Sequence, residues 1–136
     1  MLGSDLGNQA LVVGAPVVSI HNEYYLSPHF GRAPLFAFIQ ISSNSYKILE
    51  VVENPNIGHG RGGGRAIVEL LASRGINAVI LLEVGYGTFY MLKEHGIKLY
   101  YVPVHRVGNE LIPLSKAIEM FMNRQLEEAV EPRELY

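Results

Sequence analysis

Residues 78–82 read Ala-Val-Ile-Leu-Leu, and residues 10–20 are almost as uniformly apolar, with Leu11, Val12, Val13, Val17 and Val18. Short runs without the alternation of a half-exposed strand belong to strands buried on both faces. Strands of that kind need a covering layer on each side of the sheet, so an α/β architecture follows. Pro16 interrupts the first run; it has no ladder donor and implies a bulge or an edge.

The remaining segments supply partners and covering layers. Residues 35–42 form a second apolar run with Phe36, Phe38 and Ile39, then Ser43-Asn44-Ser45 has turn chemistry and residues 46–52 alternate. The two runs read as a hairpin. Glu53-Asn54-Pro55-Asn56 ends it, a glycine-rich loop spans 58–64, and Ala66, Ile67, Leu70 and Leu71 mark one face of a helix closed by Gly75. A second helix over 88–95 ends at Gly96, a strand follows over 97–102, and a third helix covers 114–126. The predicted order is β-β-β-α-β-α-β-α: a mixed five-stranded sheet covered by helices, with the second strand antiparallel and helix-connected strands parallel. Residues 21–31 read as a loop. The expected organisation is a flexible leader over 1–9, one α/β domain over 10–126 and a frayed acidic tail over 127–136.

A chain of 136 residues has room for one core. Its formal net charge of −2 argues against a general nucleic-acid binder. With no cysteine present, disulfide staples and thiolate sites for zinc or iron–sulfur clusters are excluded, so any metal must take His, Glu, Tyr or backbone ligands. No stretch approaches the roughly 20 apolar residues of a membrane helix, and residues 1–9 do not resemble a signal peptide. A cytoplasmic protein is the expectation.

In this topology the loops 21–32, 53–65, 83–88 and 103–109 leave the sheet at one edge, the carboxyl ends of most strands, where open α/β sheets bind ligands. His21, His29, His59 and His105 lie in those loops with Arg32, Arg61, Arg65 and Arg106, with Tyr86, and with Glu23, Glu53 and Glu83. Any one such histidine is more often a surface residue than a ligand; four at one edge point to a site. His95 stands apart, at a helix end where a cation suits the dipole. The run Gly60-Arg61-Gly62-Gly63-Gly64 before a helix offers backbone N–H groups to an anion, or is simply a flexible loop. It matches neither the P-loop nor the dinucleotide fingerprint. Gly85-Tyr86-Gly87 is a smaller nest of the same kind.

The string Ser27-Pro28-His29-Phe30-Gly31-Arg32-Ala33, with Glu53-Asn54-Pro55, the glycine-rich loop and Gly96-Ile97-Lys98-Leu99-Tyr100, resembles the dinitrogenase iron–molybdenum cofactor biosynthesis family. That family holds nitrogenase accessory proteins and archaeal and bacterial homologues, and the likeness spans residues 11–126. It implies a ribonuclease-H-like sheet with helices on both faces. A histidine of this motif is implicated in holding the cluster, and His29 matches it. The resemblance thus implies His29 as the metal ligand; with the loops of the shared edge, the candidate cofactor-binding residues are His29, Phe30, Gly31, Arg32, His59, Arg61, Gly62, Gly63, Arg65, Gly85, Tyr86 and His105. Residues 21–25 depart from the acidic turn of many members, and His59 is alone in a loop where relatives often carry several histidines.

These residues bear differently on three functions. A non-enzymatic carrier for an iron–molybdenum-type or iron–sulfur cluster, exchanging cargo with a donor or acceptor protein, uses the imidazole as ligand and the arginines as counter-charge. A small-anion or phosphometabolite regulator uses the same edge without metal. A two-metal nuclease needs clustered carboxylates, and Asp5 is the only aspartate, so that function is rejected. No nucleophile–base arrangement points to another enzyme.

Overall fold

The computed structural model describes residues 11–56, 64–103 and 110–134. Its elements in chain order are β1 (Leu11–Ile20), β2 (Glu23–Leu26), β3 (Leu35–Ile41), β4 (Tyr46–Glu53), α1 (Gly64–Ser73), β5 (Ala78–Leu81), α2 (Tyr86–Glu94), β6 (Lys98–Tyr101), α3 (Leu114–Met122) and β7 (Glu127–Glu128). The strands form one sheet in the order β4-β3-β1-β5-β6-β7, with β2 paired to β1 off this path. β1 pairs parallel with β5, and β5 with β6, whereas β2 and β3 are antiparallel to β1. The sheet is therefore mixed, as expected, but it has seven strands rather than five.

Both additional strands depend on a partner. β2 lies in the segment read as a loop. His21 and Asn22 adopt φ 51° and 66°, the left-handed pair of a tight hairpin turn, and fold Glu23–Leu26 back on the end of β1. β7 lies in the tail expected to fray: Glu127 and Glu128 pair antiparallel with Tyr101 and Tyr100, and Ala129 beyond them is buried. Two residues of strand carry no periodic signal of their own; hydrogen bonds linking β6 to residues 127–129 and to Glu131 hold the tail in place.

Pro16 sits inside β1, at neither a bulge nor a sheet edge. Its carbonyl accepts from Ser27 N (2.8 Å), so its donorless nitrogen faces the same flank, where the partner of β1 changes from β5 to β2. The missing N–H falls in that gap. The irregularity is on β4 instead, where register shifts between Phe38 and Ile39 and leaves Leu49 without a Cα partner, 46% exposed.

Alternation along the strands divides the core between two faces. Phe36, Phe38, Val79, Leu81 and Leu99 meet Ile67, Val68 and Leu71 of α1 and Phe89 and Leu92 of α2. Val13, Ala15, Val17, Ala37, Ile39, Ala78 and Ile80 meet Leu114, Ala117 and Ile118 of α3. Each fully buried large side chain contributes about 1.5–3 kcal/mol. Gly75 and Gly96 follow their helices at φ 65° and 75°, the left-handed C-cap read from the sequence. The His95 Nδ1 lies 2.9 Å from the Met91 carbonyl, a helix-end contact in keeping with its structural reading.

Candidate functional site

From β1 the chain moves outward through β3 and β4, then crosses back to β5 on the other flank of β1. Strand order therefore reverses between β1 and β5, and the loops leaving these neighbours diverge to leave a crevice. One wall is the segment after the β1–β2 hairpin. Because β2 returns the chain to the level of Val17, residues 27–34 start close against the sheet. Ser27, nearly fully buried, shapes the turn: its Oγ donates to the His29 carbonyl (2.8 Å) and accepts from the His29 amide (3.2 Å). Phe30 is buried edge-on against Phe36, with centroids 5.3 Å apart. Asn54, also buried, donates to the carbonyls of Gly31 (3.1 Å) and Ala33 (2.8 Å) and ties the loop to the end of β4. The opposite wall is the short connection after β5, carrying Glu83, Val84 and Gly85 into α2.

The two walls meet where His29 faces Glu83. His29 Nδ1 lies 3.0 Å from Glu83 Oε2, with the imidazole 31% and the carboxylate side chain 13% exposed. Arg32 Nη2 is 3.2 Å from the same Nδ1. The two contacts are exclusive: a protonated Nδ1 donates to the carboxylate, and an unprotonated Nδ1 accepts from the guanidinium. The carboxylate is the nearer, better shielded and more strongly accepting group, so we assign the proton to Nδ1. In the neutral tautomer protonated at Nδ1 the lone pair is on Nε2, the pattern by which a carboxylate orients a metal-binding histidine.

These side chains line an open pocket of about 260 Å³ together with Phe30, Gly31, Val84 and Gly85, and with Thr88 and Glu134. Gly85 is the N-cap of α2, which has neither a capping side chain nor an acid in its first turn. The N-terminus of α1 also approaches: Gly64 abuts the hydroxyl of Thr88.

Of the residues read from the sequence, His29, Phe30, Gly31, Arg32 and Gly85 come together in this pocket. Phe30 serves chiefly as the loop's anchor in the core. Tyr86 is 72% exposed, packs edge-on against Tyr90 (4.9 Å) and lies outside the lining, as does Arg65, exposed on α1. His59, Arg61, Gly62, Gly63 and His105 lie outside the described residues. From the sequence Glu83 is one acid among several at this edge, and Val84, Thr88 and Glu134 do not stand out as site residues. The position of Glu83, straight after a wholly apolar strand, was a usable signal. Glu134 had none, because it arrives through the docking of the tail. Among the described residues, no cluster of three or more His, Asp or Glu is placed to hold a metal ion, and no helix is long and apolar enough to cross a membrane.

Fold and site together define a class: a mixed α/β sheet whose pocket lies where the strand order reverses and presents one oriented imidazole. Residues 13–124 match the family described as dinitrogenase iron-molybdenum cofactor, and the chain belongs to that family. It is 29% identical over 102 residues, 75% of this chain and 80% of the relative, to an uncharacterised protein of Methanocaldococcus jannaschii. Among solved structures it is similar to a putative NifB protein from Thermotoga (30% identity, TM-score 0.67, covering 93% of this chain and 99% of that one). It also shares its fold with the apo form of the orange protein from Desulfovibrio gigas (21% identity, TM-score 0.72, covering 90% and 96%).

Proposed function

We propose that this protein is a non-enzymatic carrier for an anionic metal cluster of the iron–molybdenum or related iron–sulfur type. It would act in the cytoplasm and exchange its cargo with a donor or acceptor protein, without nucleic acid or membrane as partner. The observation that carries this reading is the Glu83-oriented His29 at the reversal of strand order, in a member of a family named for the iron–molybdenum cofactor. His29 would supply one nitrogen ligand. With no cysteine in the chain, the cluster's metal atoms would take no thiolate ligand from it, and one labile nitrogen bond suits a group that must be passed on. Arg32 and the N-terminal N–H groups of α2 would meet the negative charge. Arg61, Arg65, Gly62, Gly63, Tyr86, His59 and His105 belong to the proposal as further contacts of a larger cargo, and the ribonuclease-H-like reading of the sheet belongs to it as well.

The test is metal analysis of protein purified without oxygen, followed by titration of isolated cluster. Iron or molybdenum should accompany the wild-type protein. His29→Ala should lose most of it while destabilising the fold by about 1–3 kcal/mol, the cost of one hydrogen bond to a charged group, without unfolding it. Retained cluster in His29→Ala would reject the imidazole as ligand. The pocket volume supports a second reading, a metal-free site for a small oxyanion or phosphometabolite, because about 260 Å³ is below the usual span for larger ligands. Anaerobic protein free of metal that still binds phosphate or molybdate would favour it.

A further inference from the structure

The tail from Glu127 to Glu134 is mounted directly on the pocket wall. Ala129 N donates to Leu99 O (2.7 Å), and the Tyr101 hydroxyl donates to Glu131 O (2.8 Å). Arg133 donates from Nε to Leu82 O (2.9 Å) and from Nη2 to Val102 O (2.8 Å), with its guanidinium carbon 4.3 Å from the Tyr101 ring centroid. Its own carbonyl accepts from Val84 N (2.8 Å). Arg133 therefore grips the chain on both sides of Glu83, and the next residue, Glu134, lines the pocket. The Glu134 carboxylate lies over Gly85: a Cβ added there would come within 2.8 Å of Oε2. Glycine leaves room for an acid at the positive end of a helix that has neither a capping side chain nor an acid in its own first turn.

We propose that this segment is an autoinhibitory strap, in which the Glu134 carboxylate occupies the anion-attracting end of α2 and must be displaced when anionic cargo enters. The proposal rests on the anion-carrier reading above and adds a regulatory element to it. Ala129 is the one buried residue of 127–134 and Val130 is 85% exposed, so the strap is held mainly by hydrogen bonds, which water can replace when it lifts. Because Arg133 holds Leu82 and Val84, movement of the strap reaches Glu83 and, through it, the orientation of His29.

Molybdate titrated at low ionic strength into the full-length wild type, Glu134→Gln and Glu127→Gln tests this. Glu134→Gln should bind about two- to fivefold tighter, the size expected from removing one carboxylate at a helix N-terminus. Glu127→Gln loses the same charge from the same segment, on β7, and should bind like the wild type. Equal gains in both variants would reduce the effect to net charge and overturn the strap. No gain in Glu134→Gln, with binding intact in the wild type, would overturn it and leave the anion site standing. Absence of binding in the wild type and both variants would overturn the anion reading and the strap together.

Discussion

An imidazole offers a metal only the nitrogen that carries no proton, so the 3.0 Å contact between His29 and Glu83 decides which atom can face a ligand. A Gln at position 83 keeps the shape but lets its amide donate as well as accept, which removes the preference for a protonated Nδ1. Glu83→Gln is expected to weaken cluster binding about 10- to 100-fold, the usual cost of losing a group that orients a metal-binding histidine. Ring nitrogen shifts of His29 should move from an Nδ1-protonated pattern towards a tautomer mixture. Unchanged shifts and unchanged affinity would show that the carboxylate has no such role. His29 was legible because it lies in a specific string. Glu83 was legible only as one acid among several, since its pairing spans 54 positions of chain that periodicity does not relate.

Short elements here borrow their order from their neighbours. The helices and longer strands carry apolar patterns that report burial wherever the chain goes, whereas β2 and β7 have four and two residues and form because β1 and β6 offer them edges. The tail carries a pH dependence that tests its docking. Burial pushes the Tyr101 phenol above its ordinary value of about 10, against the opposing pull of the Arg133 charge. A raised folded pKa keeps the protonated phenol favoured, so this contribution is complete below about pH 10 and is lost as pH climbs through the folded value. Ionisation also removes the donor to Glu131 O. Tyr101→Phe should therefore cost about 1 kcal/mol at neutral pH and flatten the alkaline decline in stability. Melting curves from pH 7 to 11 would check this; an identical alkaline limb in both proteins would detach Tyr101 from the tail's stability.

Across the whole molecule the formal charge is −2, a weak field against an anion, so local groups must provide the attraction. In the described pocket Arg32 is opposed by Glu83, already committed to His29, and by Glu134. Arg65 is exposed on α1, outside the pocket lining. Screening acts on the scale of 8–10 Å at ordinary salt. Molybdate affinity is expected to fall as salt rises, and Arg32→Ala should weaken binding at low salt and make it less sensitive to salt. Titrations at several ionic strengths decide the point. Affinity that rises with salt would mean that repulsion from the acids dominates, and would reject the anion site.

What the amino-acid order determined by itself was the layering. Runs apolar on both faces require covering helices, and helix-linked strands run parallel; these follow from burial and chain connectivity, which are local or nearly so. The string around His29 likewise needed no partner to be read. Tertiary structure alone decided that residues 23–26 form a strand, that residues 127–134 dock, and that Glu83 and Glu134 enter the pocket. Those outcomes depend on hydrogen bonds and contacts between segments far apart in the chain, such as Arg133 with Leu82 and Val102. A sequence pattern records how strongly a segment seeks burial, but not which distant backbone group will satisfy it.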